Sequence, residues 1–215
     1  MTGMTTQQCI SAIESRPRGG HAAALPFDPK QVKGLSEKIL TSHYENNYAG
    51  AVKRLNSITA QLAALDWKTA PNFVVNGLKR EELIATNSMI LHEHFFDALG
   101  GDGKVGGALA TAIARDFGSY ERWAVEFSAI GKAEGGGSGW AILAYSPRDK
   151  RLSNCWAADH TTNLAGGRPV LVLDMYEHAY HMDYGAKAAA YVDAFMQGIR
   201  WEPAGKLYDQ YQREG

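Results

Sequence analysis

The sequence predicts an α+β chain: an N-terminal antiparallel α-helical hairpin, then an α/β lobe with a three-stranded antiparallel sheet. Three observations carry this. Apolar residues recur at three- and four-residue steps through two long stretches of the first half. The run from Gly100 to Gly107 then breaks the pattern, because so many glycines cannot hold a helix. Past Gly135-Gly136-Gly137-Ser138-Gly139 the period shortens to strand-like runs.

In chain order, residues 1–25 are polar, with a Pro-Arg-Gly-Gly break at 17–20, and read as an arm. After Pro29, the positions Val32, Leu35, Ile39, Leu40, His43 and Asn47 share a helical face, and the pattern runs on to Leu62 with a bend near Gly50. Trp67 to Gly77 contains Pro71 and reads as a loop; a second helix fits Leu78 to Leu99. Two helices follow at 108–117 and 119–134, separated by Gly118. Strands are expected at 140–145, 151–157 and 169–173, with Ser146 to Lys150 turning the first pair into a hairpin. Helix returns near Met175, and a last amphipathic helix covers 186–200. This divides the chain into an arm (1–24), a helical-hairpin domain (25–103) and an α/β domain (104–215).

Composition narrows the function. Lys plus Arg is 22 and Asp plus Glu is 23, so the balance of −1 gives no footprint for nucleic acid or an anionic membrane. Cys9 and Cys155 lie far apart and read as free thiols in a reducing compartment. No apolar run approaches the ~20 residues that span a bilayer. The first 27 residues lack the basic start and apolar centre of a secretory signal. The expectation is a cytoplasmic protein, with export through a removed leader as the alternative.

Seven histidines are present, and their faces separate them. His92 sits in an apolar stripe with Ile84, Ala85, Met89, Phe95, Phe96 and Leu99. His43 follows Ile39 and Leu40 by one turn. Taken singly, each is most simply a core imidazole bonded to a backbone carbonyl, since an unpaired buried polar group costs roughly 1–3 kcal/mol. Asp174 ends the strand-like run from Pro169 to Leu173, and His178 follows four residues later. A helix starting at Asp174 would bring both to one side, although an Asp there is often only a cap. Together the four offer three imidazole nitrogens and one carboxylate oxygen. Structural zinc prefers thiolates, and calcium or magnesium wants more oxygens. The set suits a redox-capable iron or manganese ion with one position open.

At this point a family resemblance emerges. Asp174-Met175-Tyr176-Glu177-His178-Ala179-Tyr180 resembles the D-x-[WFY]-E-H-A-Y signature of the iron/manganese superoxide dismutases. Leu25-Pro26-Phe27-Asp28 resembles the family's opening, and Leu55-Asn56 its helix end. His92-x-x-Phe95-Phe96 resembles its second ligand motif. Asp116-Phe117-Gly118-Ser119, Gly137-Ser138-Gly139-Trp140 and Trp201-Glu202 match later segments, the last closing the final helix. The resemblance runs from about 25 to 205. It implies that His43, His92, Asp174 and His178 hold one iron or manganese ion per subunit, with solvent as fifth ligand. The implied reaction converts two superoxide anions and two protons to dioxygen and hydrogen peroxide. It further implies a homodimer, with a tetramer as the alternative, in which Glu177 reaches across to the partner's ligand histidine; a solvated helix charge is the plainer alternative.

The sequence also departs from the family. The glutamine usually placed beside the bound solvent is missing from both its locations, here Ser88 and Ala158. His160 resembles the histidine some members use instead, its alternative being an exposed loop residue. Tyr176 replaces the common tryptophan as the aromatic platform, and His181 falls where a second tyrosine is frequent. Ala51 and Asn47 occupy the gateway tyrosine and histidine positions, and Tyr48 points from a different helical angle. His160 and Tyr176 are thus the expected catalytic side chains, with Trp140, Asn47, Glu177 and Tyr180 around them or at a dimer interface. Two rival readings stay open: a catalytically weak metal-binding or interaction protein on this scaffold, and a non-haem iron oxygenase using two histidines and one carboxylate.

Overall fold

The computed structural model describes residues 20–214; most of the arm expected at 1–24, and Cys9, fall outside that range. The hairpin begins later than the periodicity suggests. Pro29–Gln31 is a 3₁₀ turn capped by Asp28, and Gly34 adopts φ 86° before the first true helix. That helix, α1 (Glu37–Ser42), is fixed by the Ser36 hydroxyl, which accepts from the Ile39 amide at 3.2 Å. The irregularity expected at Gly50 lies just before it: His43–Tyr48 is a π segment, and α2 (Ala49–Ala63) continues through Gly50. The wider π turn lies where the first candidate ligand must face inward, a placement typical of functional sites.

The second helix, α3 (Asn72–Asp97), begins six residues before the expected start, with Pro71 as its cap. Proline is a breaker inside a helix but a starter at its N-terminus, and here it starts one. Along α3 the buried residues Ala85, Ser88, Leu91, His92, Phe95 and Phe96 form one stripe, as the pattern predicts. Two helices, α4 (Gly107–Phe117) and α5 (Tyr120–Ala133), match the expectation closely. Gly118, at φ 89°, ends the first, and the Ser119 side chain caps the second.

Strands β1 (Trp140–Ser146), β2 (Arg151–Ala157) and β3 (Arg168–Asp174) form an antiparallel sheet in the order β2-β1-β3. The α+β class is therefore as the sequence predicts. Lys150, at φ 53°, closes the β1–β2 hairpin. The register pairs Trp140 with both Ala157 and Asp174, so the first residue of β1 and the last of β3 present side chains to the same face. Leu173, on the opposite face, packs against α5 at Gly131, where a Cβ would lie 2.9 Å from its Cδ2.

Two expectations about the C-terminal region are corrected. No long helix starts at Met175: a 3₁₀ turn, Glu177–Ala179, leads to one short turn, α6 (His181–Tyr184). Asp174 is thus a strand end and not a helix cap. Nor does the chain's helical part close at Trp201. Gly198 ends α7 (Ala188–Gln197), and Trp201 opens a further helix, α8 (Trp201–Glu214), that buries Trp201, Ala204 and Tyr208. Pro203 in its first turn suits a beginning. The main core is one continuous apolar cluster from Ile39 and Phe95 in the hairpin through Trp140 and Val172 in the sheet to Tyr208. Among the described residues no helix is long and apolar enough to cross a membrane.

Candidate metal centre

The four residues from separate segments meet. His43 comes from the π segment, His92 from α3, Asp174 from the end of β3, and His178 from the 3₁₀ turn that follows it. Each offers a ligand atom within 4.8 Å of the others. Oδ2 of Asp174 lies 3.1 Å from Nε2 of His43, 3.5 Å from Nε2 of His92 and 3.3 Å from Nε2 of His178. His43, His92 and Asp174 are buried and His178 is partly exposed. The approach of Asp174 and His178 comes from a tight turn: the Tyr176 amide donates to the other carboxylate oxygen, Oδ1, at 2.8 Å, leaving Oδ2 for the imidazoles. The Tyr191 hydroxyl donates to the Asp174 carbonyl and holds the strand end.

The protonation pattern tests whether a cation fits. The Ser88 carbonyl lies 2.6 Å from Nδ1 of His92 and can only accept, so Nδ1 carries the proton. Burial drives the His92 pKa down to about 3, with the neighbouring His43 adding to the effect, so the ring is neutral. Its Nε2 then turns a lone pair toward a carboxylate oxygen. Burial also lowers the His43 pKa, against the pull of Asp174. Burial pushes the Asp174 carboxyl up, but His178 and His43 outweigh it and hold it well below the usual carboxylate range. The buried Nε2 atoms of His43 and His92 have no hydrogen-bond partner of good geometry, although both face Oδ2 of Asp174. Acceptors crowded together in a dry interior repel unless a cation lies among them, and these residues therefore fit one metal ion.

Beside the cluster opens a cavity of about 260 Å³, whose lining includes Asn47, Ala51, Arg54, Ser88 and His160. His160 faces it from a loop after β2. Nε1 of Trp140 donates to its Nδ1 at 3.1 Å, and Tyr176 stacks on it with centroids 4.8 Å apart. Burial lowers the His160 pKa and raises that of Tyr176 to about 12, so at neutral pH the phenol keeps its proton. Trp140 also meets His92 edge to face at 5.2 Å.

Other sequence-selected residues lie away from the cavity. Glu177 is exposed, and Tyr180 is buried with its hydroxyl accepting from the Gly136 amide and its ring stacked on Tyr191. Tyr48 turns away from the cavity: its hydroxyl donates to Glu93 at 2.9 Å and accepts from the Ala23 amide at 2.8 Å. Sequence reasoning missed Arg54 and Asn87. Arg54 lies on the Asn47–Gly50–Ala51 face of the hairpin, a signal that was available; the Asn87 amide, bonded to the His160 carbonyl at 2.7 Å, carried none.

Comparison with known proteins agrees with this geometry. Residues 105–207 match the family model for iron/manganese superoxide dismutases, C-terminal domain. The chain is 72% identical over 184 residues to an iron superoxide dismutase of Cupriavidus metallidurans, covering 86% of this chain and 93% of the relative. It is 36% identical over 190 residues to a manganese superoxide dismutase of Halobacterium salinarum, covering 86% and 93%. An iron superoxide dismutase of Aquifex pyrophilus shares 33% over 190 residues, covering 85% and 88%. With identity this high along most of its length, and with a cation-shaped cluster at the junction of hairpin and sheet, the chain belongs to the iron/manganese superoxide dismutase family.

Proposed function

We propose that this protein dismutates superoxide at a single iron or manganese ion held by His43, His92, Asp174 and His178. The observation that carries the reading is the convergence of three imidazole nitrogens on one carboxylate oxygen. When bound, such an ion supplies a one-electron couple that oxidises one superoxide to dioxygen and reduces a second, with two protons, to hydrogen peroxide. The chain supplies the rest. Ionised Asp174 and the neutral imidazoles of His43 and His92 give a donor set of low charge. The Ser88 carbonyl locks the ring of His92 in the tautomer whose Nε2 can ligate. Trp140 occupies Nδ1 of His160, leaving a proton on Nε2 to be offered into the cavity. Tyr176 stacks on both His160 and His178 and so fixes the orientation of the two rings.

The remaining assignments extend this reading. The arm, hairpin domain and α/β domain divide at 24/25 and 103/104. A second copy of the chain packs against the Glu177 turn and its ligand histidine meets the Glu177 carboxylate, a reading supported by the exposure of that residue in the single chain. Tyr180 stiffens that turn from within. The compartment is the cytoplasm, in keeping with the scarcity of cysteine. The oxygenase alternative needs only two histidines, and the third imidazole at the same oxygen speaks against it.

Protein loaded separately with iron and with manganese tests the function. One ion per chain and superoxide consumption well above that of the free ion are expected. Full occupancy with no activity above the free ion would return the chain to a metal-binding scaffold.

A further inference from the structure

His160 sits on the connection between β2 and β3, residues 158–167, which contains neither helix nor strand. Its ring can serve the chemistry only if that connection is held at a fixed height above the cluster. Bonds within its own lobe shape the turn. Oδ1 of Asp159 accepts from the Thr161 amide and the Thr161 hydroxyl, both at 2.6 Å, and the Ala158 carbonyl accepts from the Ser138 hydroxyl at 3.0 Å. None of these fixes the turn relative to the hairpin, which supplies His43 and His92. Asn87 does so. Its Nδ2 donates to the His160 carbonyl at 2.7 Å. Asn87 precedes His92 on α3 by five residues, about 7.5 Å along a rigid helix. In mid-helix an asparagine amide ordinarily competes with the backbone, whereas here it is engaged with the loop. The main chain of His160 thus hangs from the helix that carries His92. Its ring is held by Trp140, which pairs with Asp174 in the sheet.

We propose that Asn87 is a positioning residue for dismutation: it sets the placement of His160 over the cluster and acts on the chemistry only through that ring. Two tethers, one from each lobe, then fix the imidazole against both ligand-bearing elements. Such placement matters because a misplacement of about 1 Å at a reacting centre can cost up to about a hundredfold in rate. The proposal rests on the reading of the cluster as a metal site with His160 above it.

The test compares Asn87→Ala and Asn87→Leu, the second keeping the side chain's bulk, in the parent and in a His160→Ala background. Dismutation rate, metal content and visible absorption are measured on metal-loaded protein, and amide hydrogen exchange on metal-free protein. In the parent background the rate should fall about three- to tenfold at unchanged metal content, the scale of one lost hydrogen bond. The absorption spectrum should move toward that of His160→Ala. Exchange of the Thr161 and Thr162 amides should accelerate by a similar factor while the amides of β1 hold still. In the His160→Ala background the same substitutions should change the rate by less than about twofold, because the ring they place is gone. A loss that multiplies with that of His160→Ala would make Asn87 a general stabiliser and overturn the proposal. Rate, spectrum and loop exchange unaltered in the folded variants would overturn it equally. A parent that binds no ion would instead remove the reading beneath it, and the exchange arm, which needs no metal, tells the two failures apart.

Discussion

The indole of Trp140 and the imidazole of His160 are joined by one hydrogen bond, Nε1 to Nδ1 at 3.1 Å, and this bond selects the tautomer that faces the cavity. Trp140 is itself fixed by the sheet register opposite Asp174. The strand that delivers the carboxylate and the strand that orients His160 are thereby hydrogen-bonded neighbours. Removing the ring should leave the cluster intact and disturb only the chemistry above it. His160→Ala is expected to lower dismutation roughly 10- to 100-fold at unchanged metal content. Trp140→Phe should act in the same direction more weakly. Rate assays paired with elemental analysis check both; an unimpaired His160→Ala enzyme would show that the ring is only a wall.

The Nε2 atoms of His43 and His92, buried without a well-formed hydrogen bond, make the metal-free state costly. Chelation should therefore lower the melting temperature, and refilling the site should restore it. At metal concentrations about a hundredfold above the dissociation constant the difference corresponds to ~2.7 kcal/mol. His178→Ala and Asp174→Ala should each abolish stoichiometric binding at micromolar metal. Metal content in either variant equal to that of the parent would show that the four groups do not act as one site.

How far the sequence revealed this centre differs from residue to residue. His92 was legible because α3 is a regular helix, so a period of 3.6 places it among Ala85, Ser88, Phe95 and Phe96. The convergence of His43 with Asp174 was not legible from periodicity, because it depends on a π turn and on a tight turn after β3, both of which lie outside any repeating pattern. The family signature around Asp174 and His178 carried that information instead. Helix α8 was missed because its only strong opening signals, Trp201 and Pro203, also suit a chain leaving a helix. Arg54 was missed because charged residues on helices are usually solvated, and only the gap left by Gly50 and Ala51 turns its face into a cavity rim.

Hairpin and sheet lobe are tied at the surface by Asp183. Its carboxylate accepts from the Ser36 amide at 2.6 Å and from the Ser36 hydroxyl at 2.7 Å, just where α1 begins. The same serine caps α1, so one residue links helix initiation to lobe docking. Asp183→Ala should cost about 1–2 kcal/mol, the range for charge-assisted bonds with partial solvent access. A urea midpoint unmoved by the change would show that the clasp contributes nothing net.

Glu134, at the end of α5, is buried to 7% exposure, and both carboxylate oxygens lack a hydrogen-bond partner of good geometry. It presses on the chain just before β1, where a Cβ at Gly139 would fall 2.4 Å from Oε1. Burial raises its pKa to about 7, against the nearby Trp140 and Ala157 amides, which favour the charged form; Asp174 raises it further. An unfolded glutamate titrates near ~4.3, so the folded chain holds this proton more tightly. The stabilisation is then complete below about pH 4 and is lost as pH climbs through about 7. Glu134→Gln carries a neutral amide at every pH and should escape the loss. Between pH 5 and pH 8 the parent is expected to fall relative to the variant by about 1–2 kcal/mol, after discounting for partial solvent access. Paired urea titrations at each pH check this, since any pH dependence of metal binding is common to both proteins and cancels. A constant difference across that range would place the ionisation of Glu134 outside the folding equilibrium.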